Sequence, residues 1–401
     1  MQAEAIKAYS DTDTPTADEL IARARAMVPM LRERESAAVG QRQVPEDTIR
    51  AFTEAGFFRI LQPAQYGGYE MAPEVYCEVA RTLAEGCMSS AWVYGVVAVH
   101  NWQLALFDPR AAEDVWAEDG DVRISSSYMP CGKVVREEGG YRLSGRWAFS
   151  SGSAHCDWVI LGVHIRSEDG SAPDPCNFLV PRRDYEIIDT WDTMGLCATG
   201  SNDIVVKDAF VPDYRIIREM DMFEVDCPGH AQNTGSLYRI PFAQLFNRTV
   251  STTSLGALKR ALEVFVEGMK TKRATYTGAK LANDSAIQEA VADVAMTLDD
   301  LEMRLHRDLR ELSERAEQGD FSVERRAMLG LSTTSMVSRC VTAVDQLMQF
   351  SGGKAIYRGN VVQRAFLDIH CARAHVANNP YPYARNFAGM AFGAQNDCFD
   401  I

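Results

Sequence analysis

The hydrophobic pattern of the chain changes period twice, and no single-layer fold accommodates that. Up to about residue 119, apolar residues recur at helical spacing. From about 120 to 226 they sit in short β-branched and aromatic runs separated by Gly, Pro, Asp or Ser, and beyond that the helical spacing returns. The order predicts an α+β protein: an N-terminal α-helical domain over 1–119, a central β-sandwich or barrel over 120–226, and a C-terminal four-helix-bundle domain over 227–401. A length of 401 residues suits two or three domains and a sizeable core.

Local signals fill in this outline. Residues 1–15 are polar, and Thr16 with Glu19 forms a capping box ahead of Leu20, Ala24, Met27 and Leu31. Pro45 opens a second helix that Gly56 closes, and Pro73 opens a third. The run from Val75 to Phe107 is apolar on nearly every side, which predicts buried helices. In the C-terminal part the spacing predicts helices over Ser251–Thr271, Ala286–Ala316 and Ala327–Phe350. After the break Ser351-Gly352-Gly353, a last helix runs from about Asn360 to Ala377, stopped by Asn378-Asn379-Pro380.

Composition excludes several classes. The formal charge is −14 and no basic run is long enough to neutralise phosphates, which argues against nucleic acid and anionic membranes. The longest apolar run, Ala91–His100, is too short to span a bilayer, and the N-terminus lacks the pattern of a signal peptide. The ten cysteines are scattered singly, as expected for free thiols in a cytoplasmic protein. There is no G-x-G-x-x-G, no phosphate-binding G-x-x-x-x-G-K-[ST] and no G-x-S-x-G elbow. His370 and His375, about 140° apart around a helix, do not suit a shared metal. His155 and Asp157 flank Cys156, but neighbours in a strand point to opposite faces.

One stretch stands out, Gly145–Leu161, GRWAFSSGSAHCDWVIL. It sets Trp147, Phe149 and Trp158 around a hydroxyl-rich turn, Ser150-Ser151-Gly152-Ser153. Rings and small hydroxyls suit a flat, polar-edged ligand, although an ordinary sandwich strand ending in a serine turn reads the same way. Three further features have equally plain alternatives. His100 ends an apolar helix, where a histidine is commonly a satisfied core residue. His375 falls in the last turn of the predicted final helix, where the dipole favours an imidazolium. Ser125, Ser126 and Ser127 read equally as turn residues.

A family resemblance brings these features together. PAQYGG at Pro63–Gly68, the segment Trp191–Pro212, the stretch Arg273–Leu281, the loop Gln349–Gly353, and Gln363-Arg364 with Asp368 resemble motifs of the acyl-CoA dehydrogenase superfamily. Two departures matter. A dehydrogenase needs a carboxylate to remove an α-proton. No Asp or Glu lies between residues 369 and 396, nor near Phe246-Asn247-Arg248. The stretches GVVAVHNWQLALFD, RISSSYMPCGKVV, GRWAFSSGSAHCDWV and DIHCARAHVANNP resemble instead the flavin-dependent monooxygenase branch. The likeness is nearest to the steroid-ring phenol hydroxylases of that branch and more distant to the p-hydroxyphenylacetate 3-hydroxylases.

The resemblance implies an acyl-CoA dehydrogenase-like fold and the oxygenase component of a two-component system. Reduced FMN or FAD comes from a separate NAD(P)H-dependent flavin reductase. Dioxygen gives a C4a-hydroperoxide, which hydroxylates a phenolic or polycyclic aromatic substrate ortho to its hydroxyl. It implies Ser151, or Ser150 in the alternative register, at the flavin N5 edge, and His375 beside the peroxide. His100 and Ser126 would meet the phenol oxygen, and Trp102, Phe149 and Trp147 would be walls of the pocket. Ser127, Gly353 and Arg273 are further flavin-binding candidates, Arg273 across a subunit boundary of a homotetramer. A heteroatom (N or S) oxygenase on the same fold, an acyl-CoA dehydrogenase-like enzyme and a non-catalytic binding protein are the alternatives.

Overall fold

The computed structural model describes residues 14–166 and 173–401. Five helices come first: α1 (Ala17–Gln41), α2 (Glu46–Glu54), α3 (Pro73–Ala84), α4 (Met88–Leu104) and α5 (Pro109–Trp116). Thr16 caps α1 with the reciprocal Glu19 bonds that its sequence predicts. Every residue of α4 is buried, which explains its lack of a polar face.

Eight strands follow: β1 (Ile124–Ser127), β2 (Lys133–Glu137), β3 (Gly140–Ser150), β4 (Trp158–Ile165), β5 (Asp174–Pro181), β6 (Tyr185–Ile188), β7 (Asn202–Pro212) and β8 (Ile216–Arg218). They form two four-stranded sheets, ordered β1-β4-β5-β8 and β2-β3-β7-β6. Leu143, Trp147, Val159, Leu161, Phe178 and Ile204 fill the space between the sheets. Alternation along β3 would put Trp147 and Phe149 on one face. It fails because the β3–β7 register slips between Trp147 and Ser150, and Phe149 adopts φ +70°. Trp147 goes into the sandwich core and Phe149 turns out to solvent, 62% exposed.

The remaining helices are α6 (Glu219–Glu224), α7 (Phe242–Thr271), α8 (Ser285–Gln318), α9 (Val323–Thr334), α10 (Met336–Ser351), α11 (Val361–Arg373) and α12 (Pro380–Ala391). Helix α7 packs on α3 and α4, and one continuous core runs from Leu20 in α1 to Ala377 beyond α11. A Cβ on Gly256 would lie 2.0 Å from the Arg81 carbonyl oxygen, so α7 reaches α3 only with glycine there.

Two helix expectations need correction. The helix expected over Ala327–Phe350 is two helices that meet at Ser335. Thr333, Thr334 and Ser335 each donate a side-chain hydroxyl to a carbonyl three or four residues back, which competes with the main-chain ladder. The helix expected to end at Ala377 stops at Arg373, and it is not the final helix. Asn379 caps a further one, α12, with Pro380 in its first turn. An Asn-Pro pair reads as a stop or as a start, and here it is a start.

Candidate active site

Helix α4 and strand β1 meet at His100. Its Nδ1 lies 2.9 Å from the Ile124 carbonyl oxygen, which can only accept, so Nδ1 carries the hydrogen. Nε2 is therefore a bare lone pair. It is fully buried and has no hydrogen-bond partner among the described residues. Burial lowers the His100 pKa to about 4, so the ring is neutral at ordinary pH. The Tyr128 and Phe246 rings, 5.1 Å from one another, stand together beside it, 6.2 and 6.4 Å from it between centroids.

Strand β1 separates its three serines by period-two alternation. Ser125 and Ser127 are buried: Ser125 Oγ accepts from Ser150 Oγ at 3.2 Å, and Ser127 Oγ donates to the Ala148 carbonyl at 2.6 Å. Ser126 faces the other way and is partly accessible, on the same side of the chain as Tyr128 two residues on. The Tyr128 phenol donates to Gln103 Oε1 at 2.5 Å, and burial pushes its pKa up.

The second half of the site gathers on the turn after β3. Trp92 Nε1, from α4, donates to Ser151 Oγ at 3.2 Å. Ser151 Oγ lies 2.7 Å from Ser201 Oγ, which lies 2.7 Å from Thr199 Oγ1. Thr199 Oγ1 donates to the Leu196 carbonyl at 2.9 Å, an oxygen that also takes Trp191 Nε1 at 2.9 Å. The Gly152 amide donates to the Thr199 carbonyl at 2.9 Å and so ties the turn to this loop. The loop is anchored in turn by α11. The Leu196 amide donates to Asp368 Oδ1 at 2.7 Å, and burial raises the Asp368 pKa to about 7. Phe149 stands edge-on to Trp191, 6.2 Å between centroids, and the pair makes an open aromatic shelf beside the hydroxyls.

His375 completes this half. Its Nδ1 accepts the Ala377 amide at 3.2 Å, so in the neutral ring the hydrogen is on Nε2. Trp92 and Phe246 flank it at 5.8 and 6.5 Å between centroids. The ring stays partly accessible, yet desolvation lowers its pKa to about 4. The imidazolium expected in a last helical turn is thus corrected: His375 follows the end of α11 and caps a short 3-10 turn as a neutral ring.

Other expected residues fall elsewhere. Trp147 cannot be a pocket or flavin wall: it is fully enclosed between the sheets, with Nε1 donating to the Gly162 carbonyl at 2.8 Å. Trp158, expected beside it, packs in the other core under Arg215. Ser150 is fully buried with its hydroxyl on Ser125, and the Ser127 hydroxyl is used inside the sandwich, so neither offers a free hydrogen to a ligand. Trp102 is also fully buried; it stacks on Phe242, which stacks on Phe246, and it stands one ring behind the His100 pocket. Arg273 and Gly353 are exposed on neighbouring loops joined by the Lys272–Ser351 carbonyl bond. Sequence reasoning passed over Trp92, Tyr128, Phe246, Thr199 and Ser201. The available signal was Thr199-Gly200-Ser201, which repeats the small hydroxyl pattern of the Ser150–Ser153 turn.

The α-β-α order, the neutral histidine pair and the hydroxyl row beside an aromatic shelf are compatible with a flavin enzyme that lacks a catalytic carboxylate. Comparison with known proteins agrees. Residues 14–108 match the model "Acyl-CoA dehydrogenase, N-terminal domain", and residues 249–380 match "Acyl-CoA dehydrogenase, C-terminal domain". The chain is 37% identical to the flavin-dependent monooxygenase oxygenase subunit HsaA of Rhodococcus jostii, over 88% of this chain and 93% of that protein. It is 32% identical to the FADH(2)-dependent resorcinol hydroxylase oxygenase component of a Rhizobium species, over 90% of each. The crystal structure of 3-HSA hydroxylase from Rhodococcus sp. RHA1 superposes with a TM-score of 0.91 at 35% identity, covering 96% of this chain and all of that one. The chain belongs to the acyl-CoA dehydrogenase family, in its branch of flavin-dependent monooxygenases. It is an oxygenase component, served by a separate flavin reductase, and its cofactor is a flavin. No helix among the described residues is long and apolar enough to cross a membrane.

Proposed function

We propose that the chain hydroxylates a phenolic ring ortho to its hydroxyl, with His100 holding that hydroxyl. The observation that carries this reading is the buried, unpartnered Nε2 lone pair of His100. A buried acceptor without a partner costs about 1–3 kcal/mol, and a substrate O–H removes that cost. Because the ring is neutral, it accepts the phenol hydrogen bond without competition from its own proton. Withdrawing that hydrogen raises electron density at the ortho carbon. Ser126, next along the same backbone, meets the oxygen from the other side, and the Tyr128 ring, whose hydroxyl hydrogen is spent on Gln103, lines the pocket.

The chain's residues fit a flavin at the other half. Phe149 and Trp191 give an apolar shelf, and Ser151 faces the N5 edge. Reduced flavin, when bound, supplies the activation of dioxygen, one atom of which goes to the ring and the other to water. His375 Nε2–H is the donor that holds the departing oxygen. Phe246, Trp92 and Tyr128 keep water from both. The substrate is a phenol or a polycyclic aromatic carrying one. The reductase is NAD(P)H-dependent and delivers the flavin by diffusion. A homotetramer brings Arg273 to the flavin phosphate of a neighbouring subunit, and Gly353 is a further flavin contact. Ten unpaired cysteines support a cytoplasmic setting.

The test supplies the protein with a generic flavin reductase, NADH and isotopically labelled dioxygen, and scores a panel of phenols for labelled catechol. Labelled catechol from a fused-ring or simple phenol supports the reading. Peroxide alone, across the whole panel, overturns it.

A further inference from the structure

The hydroxyl row behind Ser151 has a fixed direction, and we infer that this direction makes the site select reduced over oxidised flavin. The inference rests on the placement of Ser151 at the flavin N5 edge. Four contacts run from Trp92 to the Leu196 carbonyl through Ser151, Ser201 and Thr199, at 3.2, 2.7, 2.7 and 2.9 Å. Both ends are set by chemistry: an indole N–H only donates and a carbonyl only accepts. Two oxygens 2.9 Å apart with no hydrogen between them repel, so the Thr199 hydrogen lies on the Leu196 contact.

Each hydroxyl has a single hydrogen, and the rest follows by exclusion. Thr199 has spent its own and must accept from Ser201. Ser201 has then spent its own and must accept from Ser151. Ser151 gives its only hydrogen inward and also accepts from Trp92. What it presents outward is one lone pair. Reduced flavin carries a hydrogen on N5, which that lone pair accepts; oxidised flavin presents a lone pair of its own, which it opposes. Thr199, Ser201 and Trp92 are therefore positioning residues that act through Ser151. For an oxygenase that takes up reduced flavin and releases it oxidised, the row biases both steps without a moving part.

Anaerobic titration of the purified protein with reduced FMN, and aerobic titration with oxidised FMN, read the preference directly as a ratio of dissociation constants; FAD is run in parallel. Wild type binds the reduced form more tightly. Ser201→Ala releases the Ser151 hydrogen to turn outward, so oxidised FMN binds more tightly while reduced FMN changes little. The ratio falls about tenfold, the worth of one hydrogen bond, or about 30 mV for a two-electron couple. Thr199→Val, nearly isosteric, moves it the same way by letting Ser201 reverse. An unchanged ratio in both variants, or equal weakening of both redox states, overturns the inference. Ser151→Ala separates the levels. A changed ratio there, with none in Ser201→Ala, overturns the direction of the row and leaves the placement of Ser151 standing. No change in either affinity overturns both.

Discussion

His100 and His375 carry their hydrogens on opposite ring nitrogens. The Ile124 carbonyl fixes the hydrogen of His100 on Nδ1, and the Ala377 amide leaves that of His375 on Nε2. One ring offers a lone pair and the other an N–H, and Phe246 lies within 6.5 Å of both between centroids. The difference comes wholly from backbone partners, and it assigns the two residues different work.

Replacing the acceptor separates oxygen transfer from flavin consumption. His100→Phe removes the lone pair and keeps an apolar ring in the buried pocket. Catechol formation is expected to fall about 100-fold, the usual scale for proton-handling groups. Reduced flavin is still consumed, and peroxide replaces the missing product. Paired assays of catechol and peroxide check this; unchanged catechol yield refutes the role of His100.

His375→Phe removes the donor on the oxygen side. The expected signature is a rise in peroxide per flavin consumed at nearly unchanged affinity for the phenol. Substrate titration by fluorescence, alongside product analysis, distinguishes it from the effect at His100.

The pH dependence follows from both pKa values being depressed to about 4. In the unfolded chain a histidine titrates near 6.5, so between about 6.5 and 4 the unfolded state binds more protons than the folded one. This contribution to stability is complete above about 6.5 and is lost as pH falls through about 4. Thermal midpoints measured from pH 8 to 4 should fall in that window, and less steeply in the His100→Phe variant. Oxygen transfer should show no inflection near 6.5 from either ring.

Phe149 sits at φ +70°, which costs a non-glycine residue about 1–2 kcal/mol. Asparagine tolerates that region better, so Phe149→Asn is expected to hold or raise the thermal midpoint. It also removes half of the aromatic shelf, and flavin affinity should fall at least about tenfold, in line with the contribution of an aromatic contact. Opposite signs in the melting curve and the flavin titration check the claim. Trp147→Phe is expected to do the reverse: about 1–3 kcal/mol of lost stability, from the orphaned Gly162 carbonyl, with flavin affinity of the folded protein unchanged.

The contrast between Trp147 and Phe149 shows where sequence stopped being informative. Period switching marked the α-β-α order, because burial on one face leaves a repeat that survives in one dimension. Both histidines and Ser151 could be singled out from the letters alone, but their hydrogen-bond partners could not. A bulge has no repeat. The slip that parts Trp147 from Phe149 depends on pairing with a strand more than fifty residues away, and alternation alone assigned them to one wall. The protonation of His375 failed for a related reason. It follows from a helix ending four residues early, and Asn-Pro gives the same letters for an end and a beginning. Trp92 was hidden by context, since in a helix buried all round nothing marks one ring as the one that reaches Ser151.

Helix α4 carries both Trp92, which donates to Ser151, and His100, whose Nε2 is unpartnered. Eight residues at 1.5 Å each separate them by about 12 Å along one axis. The helix is packed on every side, so it neither stretches nor turns. The rise of α4 therefore works as a ruler: on the proposed assignment it sets the spacing between the two halves of the site, and a substrate is sorted by length before any of its atoms is read.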